Sequence, residues 1–124
     1  MAAHGAGVTP GAKLVLGVDE LVLSADALRS SGARQVSVRI DALKMEERTL
    51  ETPALASGSG SMRFGWQHSV DVSPNGRAWL AISRALETRE EDSDVYFTVR
   101  DAISGASLGE AYVNLERMLK ANAD

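Results

Sequence analysis

The chain has 124 residues and a mass of 13.2 kDa, and its shares of apolar (44%) and charged (24%) residues are typical of one soluble globular domain. Thirteen Lys and Arg against 17 Asp and Glu give a net charge of -4, which disfavours binding to nucleic acid or to an anionic membrane. The lack of Cys excludes disulfides, thiolate metal sites and thiol nucleophiles. Neither a signal-peptide pattern nor an apolar run of about 20 residues is present, so a cytoplasmic protein is expected.

One domain between two short tails is the predicted organisation. Residues 1–12 are mostly Ala and Gly with a single His, so they cannot bury enough apolar area to fold and predict a flexible tail. Residues 13–120 carry the periodic patterns of a folded domain, and residues 121–124 are predicted as a second tail. The sequence has neither an internal repeat nor a pattern that indicates a second domain.

Strand patterns dominate the first half of the domain. Apolar positions at 13–23 surround an acidic pair at 19–20, which indicates a long strand with a bulge at that pair. Residues 24–34 are small and polar and are predicted to form a loop. Residues 35–43 have a strict period of two, which indicates a half-buried strand. A short strand is expected around residues 48–52, and the Pro that follows either ends it or places it at a sheet edge.

The middle of the domain combines the clearest strand with a helix. Residues 62–72 alternate apolar and other residues without a break, which excludes a helix there. The Ser-Pro-Asn-Gly segment at 73–76 has the composition of a turn. Apolar residues at 77–88 follow a helical stripe and predict a short amphipathic helix. The acidic run at 87–94 is predicted to be a solvated loop.

Two more strands and a capped helix complete the prediction. Residues 95–100 and 108–113 indicate neighbouring strands, and Asn114 is placed to cap a short helix that buries Leu115, Met118 and Leu119. The predicted fold class is all-β, an antiparallel sandwich with one or two short helices. The residues expected between its sheets are Val38, Ile40, Phe64, Trp66, Phe97 and Val99.

The order of these elements resembles a C2 domain. Residues 109–119 (GEAYVNLERML) alternate small and apolar residues before a Leu-x-x-Met step, as in the penultimate strand and following turn of that fold. More narrowly, residues 14–119 resemble the C2 domain of the retinitis-pigmentosa GTPase-regulator-interacting proteins, the nephrocystin-8-like family of the ciliary transition zone. The Leu-rich first strand, residues 36–43, SMRFGW at 61–66 and the amphipathic helix before VYFTV at 95–99 carry this resemblance.

The resemblance implies a C2-like sandwich that binds proteins rather than catalysing a reaction. It also implies a location in a cilium or flagellum, at the axoneme or at the ciliary base. The family has one further strand after the Leu-x-x-Met step. We therefore expect this sheet either to be completed differently or to keep an open edge for a partner.

Calcium is the first ligand to consider, because many C2 domains bind it. A Ca²⁺ site needs roughly six to eight oxygen ligands from converging loops. The corresponding loops here offer Asp26 and Asp101 with little else near either, so no metal site is predicted. The acidic run at 87–94 lacks the spaced Asp, Asn and Gly residues of a folded cation loop.

No catalytic residue, cofactor or small-molecule substrate is predicted. His68 lies on the inward side of its strand without a Ser–His–acid spacing, which favours an interior or edge histidine over a catalytic base. Residues 5–13 lack the Gly-Lys-Ser/Thr end of a phosphate loop. Trp66 and Trp79 lie on apolar faces and are interpreted as core residues rather than ligand-stacking residues.

Surface recognition remains as the predicted role. Arg39, Tyr96, Arg100 and Tyr112 are expected on outward strand faces, and Arg and Tyr are enriched at binding hot spots, although both are also common on any sheet. The sequence therefore predicts a non-catalytic, calcium-independent adaptor or structural subunit of a ciliary or flagellar assembly, with one or more protein partners. The alternative is a C2 module that docks on membrane lipid. It is disfavoured because residues 62–72, which correspond to the lipid-binding strand, offer only Arg63 as a basic residue.

Overall fold

A computed structural model of the chain describes residues 12–123, which form two antiparallel sheets and three short helices. The smaller sheet pairs β1 (Ala12–Val22) with β5 (Ser61–Val72). The larger sheet contains β2 (Gln35–Asp41), β3 (Leu50–Glu51), β4 (Leu55–Ala56), β6 (Asp94–Asp101) and β7 (Ser107–Asn114). The helices are α1 (Ala25–Ser31), α2 (Arg77–Glu87) and α3 (Leu115–Ala123), and a 3₁₀ turn covers Glu90–Ser93.

The all-β antiparallel sandwich is confirmed, with three helices in the described residues rather than one or two. The larger sheet has the strand order β3-β2-β6-β7, and β4 pairs with the other end of β2. In the smaller sheet, the register shifts between Val18 and Glu20, which confirms the bulge predicted at the acidic pair. Between the pairs Val18–Trp66 and Glu20–Arg63, β1 has one residue and β5 has two, so the extra residue lies on β5, where Gly65 has a φ of 52°.

The core lies between the two sheets and under α2. Leu16, Val70 and Val72 from the smaller sheet share one buried cluster with Val38 and Ile40 of β2. The amphipathic helix is confirmed over Arg77–Glu87, and its buried stripe of Ala78, Ile82 and Ala85 faces inward. Each fully buried Val or Ile side chain of this cluster stabilises the fold by roughly 1.5–3 kcal/mol.

The predicted loop at 24–34 is wrong, because it contains α1. Ser24 caps this helix by accepting a hydrogen bond at Oγ from the Ala27 N–H at 3.1 Å, and Gly32 ends it with a φ of 63°. The helix buries no residue, so the sequence has no apolar stripe to indicate it. The Ser and Gly at its two ends were the available signals.

The predicted core is confirmed only in part. Val38 and Ile40 are buried, but Phe97 and Val99 are half-buried, because a two-stranded sheet cannot cover the whole inner face of the larger one. Phe64 and Trp66, which belong to the smaller sheet, are half-buried as well. The cap of α3 is confirmed, since Asn114 Oδ1 accepts the Arg117 N–H at 2.9 Å. Leu115 is buried as expected, whereas Met118 is exposed.

The structure describes little of the first predicted tail and places a helix in most of the second. The predicted tail at 1–12 lies outside the described residues except for Ala12, which begins β1. Helix α3 continues to Ala123, through most of the stretch predicted as a tail at 121–124. Between residues 12 and 123, the helices are all too short and too polar to span a bilayer.

Candidate functional site

The four residues predicted to bind a partner lie on one side of the larger sheet. In β2 and β6 the outward residues face each other across the strands, with Ser37 opposite Arg100, Arg39 opposite Thr98, and Asp41 opposite Tyr96. Tyr96 is in turn opposite Tyr112 of β7. We call this surface the outer face. Its members are Ser37, Arg39, Asp41, Glu51, Tyr96, Thr98, Arg100, Glu110 and Tyr112.

A carboxylate shared by two arginines organises one end of the outer face. The Arg100 guanidinium lies 3.2 and 3.3 Å from the two carboxylate oxygens of Glu51, and Arg39 Nε lies 3.7 Å from one of them. Ser37 Oγ donates a hydrogen bond to Glu51 at 2.5 Å. Surface ion pairs of this kind contribute about 1 kcal/mol or less to stability. Their main effect here is to orient two guanidinium groups and leave a net positive charge.

Two tyrosines form the other end of the outer face. The rings of Tyr96 and Tyr112 are 5.8 Å apart between centroids and inclined by 45°, and Tyr112 is 58% exposed. The pKa of the Tyr96 phenol is raised, first by partial loss of solvation and to a smaller extent by the negative charges of Asp94 and Glu110. The phenol therefore stays protonated and can donate a hydrogen bond. This end offers an apolar aromatic surface with polar tips.

His68 and Trp66 take part in packing. His68 Nε2 lies 3.1 Å from Glu46 Oε1, and its ring stacks on Trp66 with centroids 6.2 Å apart and planes inclined by 12°. Both side chains are half-buried and point toward the inner side of β5. A histidine held by a carboxylate and an indole fits the interpretation of an interior or edge residue.

The two carboxylates considered for calcium have local partners. The Asp101 carboxylate accepts the backbone N–H groups of Ile103 at 2.9 Å and Ser104 at 3.2 Å, and these hydrogen bonds lower the pKa of Asp101. Asp26 pairs with Arg29 within α1. In the described part of the chain, no three His, Asp or Glu side chains are grouped as a metal site would require.

The prediction of a solvated loop at 87–94 is wrong at its second half. Ser93 and Asp94 are buried, and Asn114 donates to the Asp94 carboxylate at 2.7 Å and to the Glu90 carbonyl at 2.8 Å. Glu90 also pairs with Arg117 of α3 at 2.5 Å. This acidic segment therefore attaches α3 to the sandwich.

Sequence reasoning missed Glu51, which organises the arginine end. It lies in a two-residue strand whose pairing with β2 is not visible in local periodicity.

The chain matches no protein-family model, and a search of curated proteins finds no match. The C2 resemblance and the binding role of the four residues therefore stay predictions.

Proposed function

We propose that this domain is a non-catalytic, calcium-independent, C2-like protein-interaction module that binds its partner through the outer face. The observation that supports the proposal is the grouping of Arg39, Arg100, Tyr96 and Tyr112 on one accessible sheet surface. A few hot-spot residues dominate the binding free energy of most protein interfaces, and Arg and Tyr, together with Trp, are enriched among them.

The ion pairs that already hold side chains of the outer face reduce the conformational entropy that is lost when a partner binds. Fixing a flexible side chain at an interface costs about 0.5–1.5 kcal/mol, and Glu51 already orients Arg39 and Arg100 before a partner arrives. The tyrosine end needs little ordering, because each ring has only two rotatable bonds. A matching partner surface would place carboxylates at the arginine end and apolar or aromatic groups at the tyrosine end.

The resemblance of residues 14–119 to a ciliary family supports a role as an adaptor or structural subunit of a ciliary or flagellar assembly. This part of the proposal predicts that the tagged full-length protein accumulates in the axoneme or at the ciliary base of ciliated cells. A uniform cytoplasmic signal in cells with assembled cilia would contradict it.

The binding role is tested by changing the outer face without changing the core. Arg39→Gln together with Tyr96→Thr keeps residues that suit a strand and removes one group from each end of the face. Partners captured from ciliated-cell extract by the wild-type chain are quantified by mass spectrometry, and we expect at least a tenfold loss with this variant. A tenfold change corresponds to about 1.4 kcal/mol.

The matched control lies on the exposed face of the smaller sheet, in β1 and β5. Val15→Ala with Arg63→Ala removes one exposed apolar residue and one exposed Arg, and it should leave partner capture unchanged. Capture that survives the outer-face variant and is lost with the control would contradict the proposal. Strong sedimentation of the wild-type chain with anionic vesicles, combined with no protein partner, would favour the lipid-docking alternative.

A further inference from the structure

A groove of about 490 Å³ lies between the edges of the two sheets, on a side separate from the arginine end of the outer face. Residues 17–21 of β1 and Leu23 form one wall, and residues 108–111 and Val113 of β7 form the other. Its floor contains Val38, Phe97 and Val99. Two of these side chains, Phe97 and Val99, are among those that the smaller sheet leaves half-buried.

Strand β7 borders this groove with an unprotected edge. Within residues 12–123 it pairs only with β6, so alternate residues direct their N–H and C=O groups away from the sheet. Edge strands are commonly blunted by Lys, Pro or a β-bulge. The eight residues of β7 contain neither Lys nor Pro, and the bulge at Leu108 leaves residues 109–114 regularly paired with β6. Ala111 and Val113 face the same side as buried Val95, yet both are exposed.

The charges around the groove are all of one sign. Its charged lining residues are Asp19, Glu20 and Glu110, and no Lys or Arg of the described chain lines it. The Arg63 guanidinium lies 3.3 Å from a carboxylate oxygen of Glu20 and therefore partly neutralises that negative charge. A second copy of this chain would bring acidic residues against acidic residues, so the charge pattern favours a basic occupant.

We propose that this groove binds an extended segment of another protein, in which apolar residues alternate with Lys or Arg. The segment pairs with β7 as an added strand. Its apolar side chains cover Ala111 and Val113, and its basic side chains lie beside Glu110 on the opposite side. The site uses backbone pairing at a sheet edge and shares only Glu110 with the outer face, so it does not rest on Arg39, Arg100, Tyr96 or Tyr112 binding a partner.

Synthetic peptides test the inference directly. The first probe is a fluorescent eight-residue peptide of alternating Val and Lys, and the controls replace Lys by Glu or separate the same residues into a Val block and a Lys block. We expect the alternating Val-Lys peptide to bind the full chain at least tenfold more tightly than either control at low salt. Backbone amides of β7 should exchange hydrogen at least tenfold more slowly when it is bound.

A substitution at Gly109 blocks the groove without straining the fold. An added Cβ there meets no atom within 4 Å, and the backbone is not in the left-handed region, so a side chain at position 109 starts in free space and extends from the wall of the groove. We expect Gly109→Leu to keep its melting temperature and lose at least tenfold in affinity for the Val-Lys peptide. Glu110→Gln should weaken binding less and reduce its dependence on salt.

Several results would overturn the proposal. Equal affinity for the Lys and Glu peptides would remove the charge argument, and unchanged binding by Gly109→Leu would place the peptide elsewhere. A dimer that Gly109→Leu dissociates would identify a second copy as the occupant. A tenfold gain in peptide affinity on deletion of residues 1–11 would identify the chain's own N-terminal segment. The outer-face variant should bind the peptide normally, which separates failure here from failure of the proposed function.

Discussion

Strands β5 and β7 both lie at a sheet edge, and both alternate apolar and other residues, yet they differ in burial. Val70 and Val72 of β5 are each 1% exposed, because they pack in the same cluster as Ile82 of helix α2. Val113 of β7 is 41% exposed although it points to the inner side of its sheet. The comparison shows that a covering layer, and not the apolar character of the residue, decides whether an inward position becomes core.

The difference follows from the widths of the two layers. Neighbouring strands lie about 4.8 Å apart, so a two-stranded sheet spans less than a sheet with four strands side by side. Helix α2 extends the cover beside β5, whereas α3 and the 3₁₀ turn at Glu90–Ser93 contact β7 and still leave Ala111 and Val113 exposed. The groove beside β7 is the space that this mismatch leaves.

The largest expected effect concerns the helix that covers β5. Ile82→Ala removes a side chain that is 4% exposed, and we expect it to lower the free energy of unfolding by about 2–5 kcal/mol. Leu80→Ala changes the same helix at a position that is 52% exposed and should cost less than about 1 kcal/mol. Urea unfolding of both variants checks the comparison, and equal losses would show that α2 does not act as a cover.

Substitutions at two glycines compare a tightly packed position, Gly60, with the open edge at Gly109. An added Cβ at Gly60 would lie 2.6 Å from the Leu23 carbonyl oxygen, at a φ of 103°, so Gly60→Ala should cost about 2–4 kcal/mol. Gly109→Ala adds a methyl group to free space and should change stability by no more than about 0.5 kcal/mol. Thermal melting of both variants measures the contrast. A loss of stability at Gly109 similar to that at Gly60 would mean that the groove is closed in solution.

A pair of valines tests the two strands themselves. Val70→Ala in β5 should lower the free energy of unfolding by about 1–3 kcal/mol, because it removes two buried methyl groups. Val113→Ala in β7 should cost less than about 1 kcal/mol. Denaturant unfolding distinguishes the two. If Val113→Ala proves the more damaging change, β7 is covered by a layer or partner in the measured state.

The smallest effect concerns the turn that joins β6 to β7. The pKa of Asp101 is lowered from its ordinary value of 3.8, so its charged form stabilises the folded state above that pH. This contribution is lost as the pH falls from 3.8 through the lower pKa of the folded protein. Asp101→Asn cannot ionise, so the stability difference between wild type and variant should shrink as the pH falls below about 4. A difference that stays constant down to about pH 2.5 would show that the Asp101 charge contributes nothing to this turn.

Part of the candidate site was predictable, and the reason is geometric. Alternation places Arg39, Tyr96, Arg100 and Tyr112 on outward positions of their strands, and antiparallel register then brings them to one surface. Glu51 was not predictable, because its contact with Arg100 spans 49 residues and depends on a two-residue strand. Helix α1 was missed because a helix that buries nothing has no apolar period.

The amino-acid sequence by itself determined the longer strands, the position of the bulge along β1, the helix Arg77–Glu87 and the cap at Asn114, because residue period and capping chemistry act over a few neighbouring residues. The two-residue strand β4 was not predicted. The tertiary structure alone decided which inward residues are covered and which edge stays open. Phe97 and Val99 have the same alternation as buried Val38 and Ile40, and their exposure depends on how many strands lie opposite them. That number arises from pairing between distant segments, which local patterns do not encode.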